Sequence, residues 1–115
     1  MQRGEVWWAT VAPPPVRDPT PHAVLLLSWD AAHRFRDRIT VAPITSTIRG
    51  LDAEVFLDHR DGMHTGCVAN LDIISTILRQ TLTERITRLS DSRMAEVERA
   101  IHIALGVPLP CGIRE

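Results

Sequence analysis

A small, mainly antiparallel β-barrel with one helix packed on it is the fold class this sequence predicts. Two patterns point there. Short apolar or alternating runs, broken by Gly, Pro or Asp, follow one another from residue 5 to residue 89. Only one later stretch, ending at Gly106, spaces its apolar residues at the helical period. With 115 residues, 44% of them hydrophobic, the chain suffices for one core and one domain, 1–115.

Glu5-Val6-Trp7-Trp8-Ala9-Thr10-Val11 is expected as the first strand, preceded by Gly4 and stopped by prolines. Adjacent Trp7 and Trp8 must point to opposite faces, so one should be core and the other half exposed or in an interface. The proline-rich stretch 13–21 is a loop, because proline removes ladder donors. Ala23-Val24-Leu25-Leu26-Leu27-Ser28 is continuously apolar up to its final serine and should be a central strand buried on both faces. Trp29 to Asp37 is a polar connection. The strand from Arg38 to Ile44 follows, rich in β-branched residues. Ala53–Leu57, Gly66–Asn70, Ile73–Ile77 and Glu84–Leu89 are the remaining strands, with a turn at Asp58–Gly62.

Ser90, Asp91 and Ser92 open the helix with capping oxygens and negative charge. Met94, Val97, Ile101 and Leu105 form its apolar stripe, and Gly106 and Pro108 end it. Residues 109–115 are expected to be a loose tail.

Several function classes drop out early. Net charge is −1, which gives no overall pull toward nucleic acid. Locally the balance differs: Arg34, Arg36, Arg38 and Arg49 face a single acid, Asp37, between residues 33 and 50. There is no Gly-rich phosphate loop and no Cys-x-x-Cys pair. Cys67 and Cys111 do not make a disulfide framework. No apolar run reaches membrane-span length, and the N-terminus lacks a signal-peptide core, so the expected location is the cytoplasm. His59, His64 and Cys67 are spaced faintly like metal ligands, but three turn residues fall short of a site, and no metal or cofactor is expected.

Chemistry concentrates at two strand ends. His22 stands where the apolar strand begins, and Thr45 where the strand from Arg38 ends. If these strands pair, both share one rim, with Arg17 in the preceding loop. Thr45, Ser46, Thr47 and Arg49 offer hydroxyl donors and a guanidinium fork suited to phosphate, although Thr and Ser are also ordinary strand-end residues. RNA carries its own nucleophile, the 2′-hydroxyl. Cleaving it needs a base, donors for the developing negative charge, and an acid for the leaving oxygen.

Five stretches, in this order, resemble the MazF/PemK family of toxin endoribonucleases: Arg3-Gly4-Glu5-Val6-Trp7, Val24-Leu25-Leu26-Leu27-Ser28-Trp29-Asp30, Val41-Ala42-Pro43-Ile44-Thr45-Ser46, Val68-Ala69-Asn70-Leu71-Asp72 through Thr76-Ile77, and Ile86-Thr87-Arg88-Leu89-Ser90. The resemblance implies an SH3-like barrel working as a homodimer. It implies metal-independent, sequence-selective cleavage of single-stranded RNA to 2′,3′-cyclic phosphate and 5′-hydroxyl ends. It also implies an antitoxin of the MazE type that lays a peptide over the RNA groove. Thr45 falls on the family's catalytic threonine. The family's catalytic arginine, followed by proline, is replaced by His22 and Ala23, so either His22 or Arg17 takes over. Trp29 replaces an asparagine and could stack on a base or pack against a partner subunit. Ser75 lies near a position where the family often has arginine. His22, Thr45 and Arg17 are thus the expected catalytic residues. Trp29, Ser46, Thr47, Arg49 and Arg36 are the expected RNA contacts. The alternatives are a toxin of the same fold that blocks a protein such as gyrase, as CcdB-type poisons do, and a non-catalytic interaction module.

Overall fold

The computed structural model describes residues 1–10 and 21–108. The strands are β1 (Glu5–Ala9), β2 (His22–Leu26), β3 (Arg38–Thr45), β4 (Glu54–Leu57), β5 (Cys67–Asn70), β6 (Ser75–Leu78) and β7 (Leu82–Arg88). Two helices accompany them, α1 (Ala32–Phe35) and α2 (Asp91–Leu105). Arg17, Cys111 and the expected tail 109–115 lie outside the described residues.

Every pairing is antiparallel, in the order β4-β5-β3-β2-β1-β7, with β6 also on β3. β3 is the shared strand. One edge pairs with β2; the other pairs with β6 along Arg38–Val41 and with β5 at Ile44 and Thr45. The expected architecture holds, but the ladder stays open between its end strands β4 and β7. A side-chain bond from the Thr87 hydroxyl to the carbonyl of Asp61, 2.9 Å, joins the loop after β4 to β7 there.

β2 is buried on both faces, as its apolar run requires. Ala23 and Leu25 face a core shared with Val6, Ala42, Leu57 and Val97; Val24 and Leu26 face a second one with Ile39, Val41 and Leu82. Trp8 packs on the first core and Trp7 on the second, so the pair straddles the sheet with both rings half-buried. The expectation that one ring would be core is corrected: both rings are only partly buried, although Val6 and Ala9 of the same strand are fully enclosed on the two faces.

In α2 the Ser90 hydroxyl accepts the N–H of Arg93 at 3.2 Å, and Gly106 ends the helix at φ +67°. Met94, Val97 and Ile101 pack inward as expected, but Ala100 and Ala104 join them while Leu105 is exposed. At 3.6 residues per turn Ala104 lies within about 20° of the direction of Val97, and Leu105 about 80° away. Three boundaries also moved. The connection after Trp29 contains α1; Leu71–Ile73 is a 3₁₀ turn, so β6 starts at Ser75; and β7 starts at Leu82.

Glu5 is the buried charge of β1. Its carboxylate accepts the Trp7 indole N–H at 2.9 Å, the Gln2 backbone N–H at 3.0 Å and Arg85 at 3.4 Å. Burial alone raises this carboxyl, but the three donors together hold it below the usual carboxylate range. The ionised form therefore favours the fold at neutral pH, and this contribution fades as pH falls through the lowered value. Glu5→Gln should be less stable than the native chain in urea at pH 7, and the gap should narrow below pH 4.5, the ordinary value for this group. A gap unchanged by acid would contradict this.

Candidate active site

Register places the site. β2 and β3 pair Val24 with Pro43, Leu25 with Ala42 and Leu26 with Val41, so paired numbers sum to 67. Continued two residues past its last pair, the same register matches His22 with Thr45. Both line a cleft of about 230 Å³ at this end of the sheet, together with Trp8, Ile44, Ser46 and His64.

Thr45 is half-buried and its hydroxyl oxygen accepts the N–H of Thr47 at 3.1 Å. That bond fixes the oxygen and leaves the O–H proton available to donate. His22 is half-buried, and its Nε2 is enclosed with no hydrogen-bond partner among the described residues. Ser46 and Thr47 are exposed beside Thr45.

Arg49 sits differently from expectation. Its side chain is exposed, but the backbone N–H groups of Arg49, Gly50 and Leu51 all donate to Glu54 Oε1, at 3.1, 2.9 and 3.2 Å. The loop after β3 thus forms an anion-binding nest already filled by a carboxylate of the same chain. Only the guanidinium of Arg49 is left to meet an external anion.

Trp29 and Arg36 line a second cleft, about 700 Å³, with Ser28, Phe35, Arg38 and Thr40. It lies at the opposite end of the β2–β3 pair. The five residue steps from His22 to Leu27 span about 17 Å. The expected site residues therefore fall into two groups rather than one. Trp29 and Phe35 are 65% and 83% exposed. Their segment is anchored from below: the Ser28 hydroxyl accepts the N–H of Thr40 at 2.8 Å, and buried His33 bonds the Ser28 carbonyl at 2.9 Å.

Sequence reasoning missed Phe35, although an aromatic between Arg34 and Arg36 in a polar connection was a usable signal. His64 was weighed only as a metal ligand. Among the described residues no group of three His, Cys, Asp or Glu side chains is placed to hold a metal. Cys67 beside the cleft is buried, and burial, with Asp61 and Asp58 adding to it, pushes its thiol up. It stays a neutral wall residue.

His64 is carried by a clamped loop. Asp58 and Asp61 form a reciprocal capping box, and Arg93 of α2 donates to Asp61 at 3.0 Å. Gly62 turns at φ +91°, and a Cβ there would stand 2.3 Å from the Thr87 hydroxyl.

The open antiparallel sheet with a C-terminal helix defines the fold class, and histidine, threonine and serine line the cleft at one end of it. Comparison with known proteins makes this specific. Residues 2–105 match the family described as PemK-like, MazF-like toxin of type II toxin–antitoxin system, and the chain belongs to that family. It is 41% identical over 110 residues to a Mycobacterium tuberculosis protein named "Probable endoribonuclease MazF5", covering 95% of this chain and 93% of that one. Among solved structures it is similar to the Mycobacterium tuberculosis toxin MazF-mt6, with TM-score 0.81, 28% identity, and coverage of 91% and 99% of the two chains. A mycobacterial endoribonuclease in complex with its cognate antitoxin shares the fold, with TM-score 0.82 at 24% identity and coverage of 96% and 99%. No helix among the described residues is long and apolar enough to cross a membrane.

Gly62→Ala should destabilise by roughly 1–3 kcal/mol, because it combines a left-handed backbone with a steric collision. Gly50→Ala, at φ +73° but in open space, should cost less. Urea denaturation of both variants checks this, and equal losses would contradict it.

Proposed function

We propose that this chain is the toxin of a type II toxin–antitoxin pair and cleaves single-stranded RNA without a metal. One observation supports the reading: a histidine and a threonine with an oriented hydroxyl line one cleft, in a chain whose relatives are named endoribonucleases. His22 takes the proton of the 2′-hydroxyl. The 2′-oxygen attacks phosphorus, and the bond to the 5′-oxygen breaks, giving a 2′,3′-cyclic phosphate and a 5′-hydroxyl. The Thr45 and Ser46 hydroxyls donate to the phosphate oxygens as charge develops. Arg17, five residues before His22, supplies positive charge to the same phosphate.

Thr47 and Arg49 meet the adjoining backbone on the exposed side of Thr45. The distant cleft takes a base further along the strand, stacked on Trp29, with Arg36 beside the phosphate. A span of about 17 Å suits a few nucleotides of extended RNA. The exposed rings of Trp29 and Phe35 give a partner an apolar surface to cover. A homodimer and a cognate antitoxin of the MazE type are the partners this reading assigns, and the cytoplasm is where it acts.

Digesting a long RNA in EDTA tests the mechanism: cleavage should persist undiminished, and a strict requirement for Mg²⁺ or Zn²⁺ would overturn it. Thr45→Val should fold normally and lose roughly 10²–10³-fold in rate, the usual effect of removing one such donor. A folded Thr45→Val protein with native activity would remove Thr45 from the chemistry.

A further inference from the structure

Breaking an RNA strand by its own 2′-hydroxyl takes two proton transfers at opposite sides of one phosphorus. The attacking and leaving oxygens lie roughly in line, so the group that removes the first proton is badly placed to deliver the second. The cleft at Thr45 contains residues on both sides. At Thr45, β3 is flanked by β2 on one edge and by β5 on the other, where Thr45 pairs with Val68. His22 opens β2, and His64 stands three residues before β5. The two histidines therefore reach this cleft from strands on opposite edges of β3, about 10 Å apart, and Thr45 of β3 lines it with them.

We propose that His64 is the proton donor to the leaving 5′-oxygen, the partner of His22 in RNA cleavage. This rests on the reading of the chain as an RNA-cleaving toxin. The steps balance: His22 accepts the 2′-hydroxyl proton, the 2′-oxygen–phosphorus bond forms, the phosphorus–5′-oxygen bond breaks, and protonated His64 gives its proton to that oxygen. Water then resets both rings by proton exchange.

Three further observations favour His64. Its side chain is exposed at the cleft wall and takes part in no hydrogen bond among the described residues, so it is not spent on structure. The chain on both sides of it is fixed. The Met63 N–H donates to the Asp58 carbonyl at 3.2 Å, the Arg93–Asp61 pair ties the turn to α2, and the buried Cys67 thiol donates to the Leu57 carbonyl of the neighbouring strand at 3.8 Å. Finally, of the described cleft-lining residues only the two histidines belong to the type suited to proton exchange in catalysis; threonine and serine hydroxyls do not, and the thiol is buried.

The test uses the full chain and two versions of one RNA spanning a mapped cut site. One has the ordinary phosphodiester; the other has sulfur in place of the leaving 5′-oxygen. A thiolate departs without a proton, so only the acid becomes dispensable. The native chain should cut both. His64→Gln should lose about 10²–10⁴-fold on the oxygen substrate, the usual worth of a positioned acid, and regain the native rate on the sulfur substrate. His22→Gln should stay slow on both. His64→Gln that is equally slow on both substrates has a structural role only, and His64→Gln with native activity on oxygen has none; either result overturns the proposal while leaving RNA cleavage standing. A native chain that cuts neither substrate overturns both.

Discussion

The pairing of β2 with β3 is the constraint on which the rest depends. β3 serves three neighbours, and β2 sends alternate residues into two cores. A slip of one residue would turn Val24 and Leu26 out of one core and Ala23 and Leu25 out of the other. Both cores thus vote for a single register, and that register sets His22 opposite Thr45. The site is therefore held by the most buried part of the molecule, where Val24, Leu25, Leu26, Val41 and Ala42 are all fully enclosed. Chemistry that depends on placement to a fraction of an ångström belongs on such a frame.

The division of labour along this strand pair follows from the same geometry. One end carries imidazoles and hydroxyls in a small cleft; the other carries exposed aromatic rings and arginines around a larger one. The Glu54 carboxylate fills the backbone nest between β3 and β4, which keeps that loop from competing for phosphate. The turn bearing His64 is tied to β7 through Thr87 and to α2 through Arg93, and it bridges the gap where the ladder fails to close.

Much of this was legible in the residues. The apolar run at 23–28 can only be a doubly buried strand, and Ser90 and Gly106 mark the helix ends by the chemistry of their caps. The sharing of a rim by His22 and Thr45 followed from the positions of strand ends. What stayed hidden depends on three-dimensional placement. Nothing local marks Glu54 as the partner of three N–H groups behind it. A stripe counted as 94, 97, 101 and 105 overlooks Ala100 and Ala104, because small residues register weakly although the helix turns them inward. Trp29 and Arg36 are near Thr45 in sequence, yet the antiparallel return of β3 carries them to the far end. His64 was weighed beside its sequence neighbours His59 and Cys67 as a faint metal spacing, whereas in the fold it lines one cleft with His22 and Thr45.

The central claim is that the cleft uses the RNA's own 2′-hydroxyl as nucleophile. The most direct measurement replaces the single nucleotide on the 5′ side of a mapped cut with its 2′-deoxy form in an otherwise unchanged RNA. The account predicts no cleavage at that position, with other cut sites in the same strand unaffected. Cleavage continuing at the deoxy position would mean that water or another nucleophile does the work, and would contradict the account.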